Sequence, residues 1–306
     1  MCRWVLHTGN ERRLDEVVTT PARSLVHQSL HASRCRTTTN GDGFGLGWYG
    51  NRATPSTFRD TTPAWADDNL QTLCAELSAR TFFAHVRAST NGASSRANCH
   101  PFSIGRTLFM HNGQVGGFEK IRRTIENMIP DRLYPQRRGS TDTEAIYLAA
   151  MARLEQDGPI VAFADTLGRI HEEMHAARVA EPLRFAAAFT DGQLLTVFRW
   201  ASDDAAPSVF YRNDEQGLTV ASEPLDDCAG EWHELPKNHV LTACCGKAPV
   251  RPAVMPFVVG RYFAAISDTS TSTGAPALPP GSSRTATASR AGGILPSPQY
   301  LSLIHI

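Results

Sequence analysis

A cysteine directly follows the initiator methionine of this chain. If Met1 is removed, Cys2 becomes the N-terminal residue and carries a thiol and a free α-amino group on one Cα. An α-amine titrates near about 7.7–8.0 and a thiol near about 8.5, so at neutral pH the amine can take the thiol proton. Cys2 is therefore a candidate nucleophile with its own base. The alternative is that Cys2 marks only the start of translation, so the rest of the chain must supply an oxyanion hole and substrate ligands.

Two predicted strands end in residues that suit those tasks. Alternation of residue types predicts one strand over residues 81–87, ending at Arg87, and another over residues 107–111. The second strand is expected to stop at Asn112-Gly113, because Asn-Gly favours tight turns. A guanidinium binds a carboxylate at two points, and amide donors stabilise an oxyanion. Arg87 and Asn112-Gly113 are candidates for these roles, with an ion pair and a plain turn as the structural alternatives.

Helices are predicted where apolar residues recur at helical spacing, over residues 118–129 and 160–177. A third helix is expected to begin at the capping box Thr141-Asp142-Thr143-Glu144 and to run to about residue 154. Asp142 lies in its first turn, where the helix dipole alone favours an acidic residue. The pattern over residues 25–32 fits a short helix or an ordered loop.

Glycine alternates with Phe44, Leu46 and Trp48, which predicts a strand with one bare face that a backbone or a ligand can approach. Asp191-Gly192 is the expected turn of a hairpin between strands over residues 184–190 and 193–200. The strand pattern continues and is interrupted by Ser222-Glu223-Pro224-Leu225. The later predicted strands cover residues 208–211, 218–221 and 238–243.

The composition excludes several classes of function. The 306 residues include 30 Lys+Arg and 30 Asp+Glu, a balance that argues against nucleic acid or an anionic membrane as a partner. No apolar run reaches the roughly 18 residues that span a bilayer, so the expected compartment is the cytoplasm. The seven cysteines form no CxxC pair, and neither a metal nor another cofactor is expected.

The composition also divides the chain. From about residue 267 onward it shifts to Ser, Thr, Ala, Pro and Gly, which bury too little apolar surface to fold. We expect one domain over residues 2–256 and a disordered, low-complexity tail over residues 257–306. The last six residues resemble a translated sequencing adapter, and no function is assigned to them.

The order of the motifs resembles the glutaminase domain of class II glutamine amidotransferases, which are N-terminal-nucleophile (Ntn) hydrolases. The resemblance covers roughly residues 2–256. Each motif alone is a weak signal, and the specific signal is their occurrence in this order after Cys2. Those motifs are Asn40-Gly41-Asp42-Gly43, His85-Val86-Arg87, Thr90-Asn91-Gly92, Asn98-Cys99-His100-Pro101-Phe102, His111-Asn112-Gly113, Thr141-Asp142-Thr143-Glu144 and Ser222-Glu223-Pro224-Leu225.

The resemblance implies an α+β fold of the four-layer αββα type, in which two mostly antiparallel sheets pack face to face between helices and Cys2 starts a strand. It implies that Arg87 binds the α-carboxylate of the substrate, that Thr90 adds a polar contact there, and that Asp142 binds the α-ammonium. The side-chain amide of Asn112 and the backbone N–H of Gly113 would form the oxyanion hole. No role for a metal or a cofactor is implied.

The implied reaction is hydrolysis of a γ-glutamyl amide through a Cys2 thioester, with glutamine as the default substrate and ammonia or an amine as the leaving group. The chain resembles a stand-alone glutaminase, related to γ-glutamyl amidases of thiol metabolism. Larger family members carry an acceptor domain, so here ammonia would pass to a separate subunit or to water. One alternative is a γ-glutamyl conjugate or peptide hydrolase, related to ergothioneine or glutathione metabolism. The other is a non-catalytic glutamine-binding subunit of a synthase, which retention of Met1 would favour.

Overall fold

The computed structural model describes residues 2–30, 39–89, 94–228 and 230–261. These ranges form 13 β-strands and six α-helices. The strands are β1 (Arg3–Arg13), β2 (Phe44–Trp48), β3 (Ser56–Asp60), β4 (Ser78–Val86), β5 (Phe102–Ile104), β6 (Thr107–Val115), β7 (Leu183–Thr190), β8 (Leu194–Ala201), β9 (Phe210–Asp214), β10 (Gly217–Ala221), β11 (His233–Glu234), β12 (His239–Cys244) and β13 (Ala253–Pro256). The helices are α1 (Asp15–Val18), α2 (Leu25–Leu30), α3 (Asp68–Glu76), α4 (Phe118–Glu126), α5 (Asp142–Ala150) and α6 (Leu154–Ala176).

The strands form two sheets in which every described pairing is antiparallel. One sheet has the order β11-β9-β10-β1-β4-β2-β3, and the other has the order β13-β12-β8-β7-β6-β5. Trp4 and Phe83 of the first sheet pack with Leu108 and Ala186 of the second in a core between the sheets. A second core lies between one sheet and α1–α3, and a third lies between the other sheet and α4–α6. This is the predicted four-layer αββα fold.

The bare face of β2 serves another backbone. A Cβ placed on Gly45 would lie 2.2 Å from the carbonyl oxygen of His100, and a Cβ on Gly47 would lie 2.7 Å from Pro101 Cγ. The two glycines therefore allow the segment before β5 to lie directly against the first sheet. The prediction of a strand with one accessible face is confirmed, and the occupant of that face is the chain itself.

The prediction that a strand stops at Asn112-Gly113 is wrong. Strand β6 continues through both residues to Val115, with Asn112 paired to Ala186 and Gly113 to Phe185 of β7. Asn-Gly usually marks a turn because both residues tolerate positive φ. Here Gly113 has φ +152° inside the strand, and pairing with β7 holds the irregular backbone in the sheet.

The helices differ from the prediction mainly at their ends. Residues 25–30 form helix α2, so the segment for which a helix or a loop was expected is a helix. Helix α5 ends at Ala150 rather than near residue 154. Thr141 caps α5 as predicted, since its Oγ1 accepts the N–H of Glu144 at 3.2 Å. The other half of the capping box does not form, because the Glu144 carboxylate accepts the N–H groups of Arg138 and Gly139 at 3.0 and 2.8 Å. In the part of the chain described, no helix is long and apolar enough to cross a membrane.

Candidate active site

Cys2 stands immediately before β1 and on the face of that strand that looks into the core between the sheets. Side chains alternate along a strand, and Trp4 and Leu6, which share this face, lie in that core. The Cys2 thiol can donate to the carbonyl oxygen of Ala88 over 3.6 Å, and the N–H of Ala88 donates to Cys2 Sγ over 3.4 Å. The sulfur is thus fixed against the segment that follows β4.

The surroundings of Cys2 set its protonation state. Burial raises the pKa of the thiol, the hydrogen bond with Ala88 and the positive charge of Arg87 lower the pKa, and the Asp142 carboxylate raises it further. The net effect is a raised pKa, so the resting thiol is protonated at neutral pH. A nucleophile in this position needs a base, and the α-amine that removal of Met1 would create lies on the same residue.

Arg87 follows β4 and lies opposite Cys2, because Arg3 pairs with Val86 in antiparallel register. Its backbone is fixed by the carbonyl oxygen of Gly43 and the N–H of Asp42, at 2.8 and 3.0 Å. The side chain is only 5% exposed; Nη2 donates to Ser89 Oγ at 3.0 Å, and buried Nη1 has no hydrogen-bond partner among the described residues. A buried guanidinium with an unused donor fits a carboxylate ligand.

Asp142 lies at the first turn of α5 and reaches the end of β6. Its Oδ2 accepts the N–H of Val115 at 2.8 Å, and its Oδ1 accepts the N–H of Thr143 at 2.7 Å. The carboxylate keeps free lone pairs, is partly exposed, and acts electrostatically on Cys2. Arg87 and Asp142 thus place opposite charges near the thiol, as an amino-acid head group requires.

Asn112 is 2% exposed, and its side chain points to the same inter-sheet layer as Cys2, since Leu108 and Met110 on the same face of β6 lie in that core. Asn112 Nδ2 donates one hydrogen bond to Ser222 Oγ at 2.8 Å, and a carboxamide nitrogen carries a second N–H. Asn112 Oδ1 is buried and has no donor in the described ranges. The second N–H is the group available to an oxyanion.

Gly113 occupies a position that only glycine fits. A Cβ there would lie 1.9 Å from the carbonyl oxygen of Arg184, and φ is +152°. We expect Gly113→Ala to lower the free energy of unfolding by about 2–4 kcal/mol, since both the clash and the backbone strain must be relieved. Urea unfolding measures the change. Gly105→Ala is the matched control, because Gly105 also has positive φ but no atom within 4 Å of the added methyl; equal losses for the two variants would refute the clash.

Thr90, predicted to contact the substrate carboxylate, lies outside the described residues, as do Asn91 and Gly92. The chain on both sides is held by Asp42. Its Oδ2 accepts the N–H of Ser89 at 2.7 Å, and its carbonyl oxygen accepts the hydroxyl of Ser94 at 3.3 Å. The role of Asp42 was not predicted, although the turn motif that contains it was among the family motifs.

Three histidines line the interior behind the site. His85 Nε2 lies 2.9 Å from His100 Nδ1, and the backbone N–H of His111 donates to the same nitrogen at 3.5 Å. Burial lowers the pKa of His85 to about 3 and keeps the pKa of His100 well below its ordinary value. These rings are therefore neutral at physiological pH, which suits the predicted structural role better than proton transfer.

Buried neutral histidines make stability depend on pH. Burial lowers the pKa of His7 to about 4, as it lowers that of His85 to about 3. Below about pH 6.5 the unfolded state therefore binds protons that the folded state does not. We expect the free energy of unfolding to be level above about pH 7 and to fall toward pH 4, by up to about 1.4 kcal/mol per pH unit for each histidine.

Urea unfolding at several pH values and constant ionic strength measures this dependence. His7→Gln is the informative variant, because glutamine can keep the contacts of His7 with Thr219 and the Asn10 carbonyl but does not titrate. We expect a shallower slope in that variant. The same slope in the variant and the wild type would show that His7 is not among the groups responsible.

Comparison with known proteins identifies the family of the chain. Residues 16–206 match the family model described as glutamine amidotransferases class-II. The chain is 34% identical to a probable glutamine amidotransferase, DUG3, of Saccharomyces cerevisiae, over 79% of this chain and 81% of the yeast protein. It is 29% identical to the gamma-glutamyl-hercynylcysteine sulfoxide hydrolase of Mycolicibacterium smegmatis, over 79% of this chain and 95% of that enzyme.

A solved structure extends the comparison to three dimensions. The glutamine aminotransferase class-II domain protein of Silicibacter pomeroyi superposes with a TM-score of 0.65 at 34% identity. The alignment covers 84% of this chain and 100% of that one, so the likeness spans the whole αββα domain. The family model matches more than half of the chain, and the alignments cover most of the length of the sequence relatives. The chain therefore belongs to the class II glutamine amidotransferases, a family of enzymes.

Proposed function

We propose that this protein hydrolyses a γ-glutamyl amide, with L-glutamine as the default substrate and Cys2 as the nucleophile. The observation that carries the proposal is the buried guanidinium of Arg87, which lies beside the thiol and has one donor without a partner among the described residues. A buried cation without a counter-ion is costly, and the α-carboxylate of an amino acid would supply one. With the α-ammonium on Asp142, the side-chain amide of the substrate would face Cys2.

The proposed reaction has two halves. The Cys2 α-amine takes the thiol proton, and the thiolate attacks the γ-carbonyl carbon while Asn112 Nδ2 and the N–H of Gly113 bind the oxyanion. The C–N bond then breaks, and the amine leaves with the proton that the α-ammonium returns. In the second half, water gives a proton to the α-amine, attacks the thioester and releases glutamate and the thiol.

A second candidate differs only in the leaving group. A cavity of about 270 Å³ lies beside Asn112 and is lined in part by Arg3 and Ser222. Cys2, Arg87 and Asp142 do not line this cavity, so it would hold only a leaving group larger than ammonia that extends past Asn112. The hydrolase of Mycolicibacterium smegmatis, whose name specifies a γ-glutamyl conjugate, supports the same reading. A γ-glutamyl conjugate or peptide is therefore the alternative substrate.

We propose that Thr90 adds a contact to the substrate carboxylate, and that ammonia, where it is the product, passes to a separate subunit or to water. Cytoplasmic location is part of the proposal and is supported by the free state of all six cysteines that the structure describes. The net charge of zero argues against nucleic acid and anionic membranes as partners.

We also propose that the domain predicted over residues 2–256, with the few residues that pack onto its end, carries the activity without the remainder of the tail. The packing of this domain extends a little further, because Phe257 is buried in the core beside α6 and Arg261 pairs with Glu172. A chain that ends after Arg261 is therefore the shortest that we expect to be fully active.

Glutamate release from a panel of amides tests the proposed function. The panel contains L-glutamine, γ-glutamyl dipeptides and, as matched controls, D-glutamine and an α-glutamyl dipeptide, which misplace the α-groups relative to the amide. Intact mass first establishes that Met1 is removed, and a quenched sample is searched for a γ-glutamyl adduct on Cys2. We expect release from the γ-glutamyl compounds alone, and the best substrate identifies the leaving group.

Two results would overturn the proposal. One is the absence of release and of any adduct on a chain that lacks Met1, which would favour a non-catalytic glutamine-binding subunit. That reading predicts that glutamine still raises the melting temperature. The other is release from the control compounds at the same rate, which would show that Arg87 and Asp142 do not select the head group.

A further inference from the structure

Ser222, directly after β10, connects the nucleophile strand with the oxyanion residue. Its Oγ accepts two hydrogen bonds, from the N–H of Trp4 at 3.0 Å and from Asn112 Nδ2 at 2.8 Å. Its own N–H donates to the carbonyl oxygen of Trp4 at 2.9 Å. Ser222 is 2% exposed. One buried hydroxyl thus contacts both the start of β1 and the carboxamide of Asn112, which belong to different sheets.

The next residue, Glu223, holds the other end of the same segment. Glu223 Oε1 forms an ion pair with Arg3 Nη2, and both side chains are largely buried. Arg3 Nη1 in turn donates to the carbonyl oxygen of Cys2 at 3.1 Å. A buried ion pair contributes little net stability, but it offsets its desolvation cost only when the two charged groups keep a closely defined distance and orientation. Ser222 and Glu223 therefore fix three consecutive residues, from Cys2 to Trp4, as well as Asn112.

We propose that Ser222 and Glu223 are positioning residues that set the distance and orientation between the Cys2 thiol and the Asn112 carboxamide. This inference rests on the proposed function, since it assigns a purpose to the same site. An attacking sulfur and its oxyanion donor must keep their relative position closely, because small displacements reduce turnover strongly. The described hydrogen bonds of Ser222 and the described ion pair of Glu223 go to residues other than the head-group ligands Arg87 and Asp142, so we expect KM to change little.

Steady-state kinetics of glutamate release test the role of Ser222. We expect Ser222→Ala to lower kcat by about 10- to 100-fold and to change KM by less than about twofold. Ser222→Thr, which keeps the hydroxyl, should restore most of the loss. Ser202→Ala is the matched control: Ser202 makes the same pair of bonds to Leu183, at 2.9 and 3.1 Å, without touching Asn112 or β1. We expect it to turn over like the wild type.

Glu223→Gln gives a second variant in case Ser222→Ala does not fold. It keeps the shape of the side chain and removes the charge that holds Arg3, so we expect a lower kcat with little change in KM. A purely structural role would instead lower the melting temperature and leave kcat of the folded fraction unchanged. Wild-type kcat in both folded variants, or equal losses in Ser202→Ala, would overturn the proposal.

A readout without turnover separates this inference from the proposed function. The rate at which iodoacetamide alkylates Cys2, followed by peptide mapping, reports the position of the thiol alone. We expect Ser222→Ala and Glu223→Gln to change this rate at least about threefold, and Ser202→Ala to leave it unchanged. If the wild type releases no glutamate but the alkylation rates change as expected, the proposed function fails and the positioning role stands. Unchanged rates in both variants would refute the positioning role.

Discussion

Cys2→Ala should lose glutamate release from every γ-glutamyl substrate, with kcat at least about 10⁴-fold below the wild type. The loss is expected to be this large because the thiol forms the covalent intermediate and the alanine methyl cannot attack a carbonyl. Glutamate release and the γ-glutamyl adduct should disappear together. Substrate affinity, measured by the shift in melting temperature with glutamine, should survive, because Arg87 and Asp142 are unchanged.

Two controls separate the thiol from its base. Cys99→Ala removes another buried thiol, whose pKa burial raises to about 11, and should leave kcat within about twofold of the wild type. An uncleaved N-terminal extension keeps the Cys2 thiol but converts its α-amine to an amide, and should abolish release; cleavage to Cys2 should restore it. Full activity with the extension in place would show that another group is the base.

The parts of the site that follow from local pattern could be predicted from the sequence. Arg87 directly follows strand β4, one residue beyond the observed strand end, and Asp142 begins the capped helix α5 as predicted. The turn predicted at Asn112 and Gly113 was wrong, because their partner strand β7 lies some 70 positions further along the chain, and their oxyanion role stays a prediction. Sheet pairing at that distance overrides the local preference of Asn-Gly.

Long-range contacts account for what the sequence did not reveal. Ser222 bonds Trp4 across 218 positions and Asn112 across 110, and no local pattern encodes such a link. The one local feature at Ser222 was that Ser222-Glu223-Pro224-Leu225 interrupts a strand pattern, which does not reveal its partners. Strand β3 was missed because it is a short, half-exposed edge strand. Helix α3 was also missed, although the sequence offered a signal for its start: Asp67 caps the helix by accepting the N–H of Leu70.

Arg87→Lys should lower kcat/KM for L-glutamine by about 10²–10³-fold, mostly through a higher KM. Lysine keeps the positive charge near Cys2, so the influence on the thiol pKa is largely preserved. It lacks the planar fork that binds a carboxylate at two points. Its ammonium is also more strongly hydrated than a guanidinium, so it loses more hydration when it binds the carboxylate. Initial rates over a range of glutamine concentrations measure the split between kcat and KM.

A substrate without the carboxylate makes this test specific. 4-Aminobutyramide has the amide and the ammonium of glutamine but no α-carboxylate, so the wild type should strongly prefer glutamine. Arg87→Lys should lose most of that preference, because only the glutamine reaction used the guanidinium. Arg96→Lys is the control, since Arg96 is exposed and pairs with Asp60. Equal losses for both amides in Arg87→Lys would mean that Arg87 acts on the fold or on the thiol, and the assignment of the carboxylate site would fall.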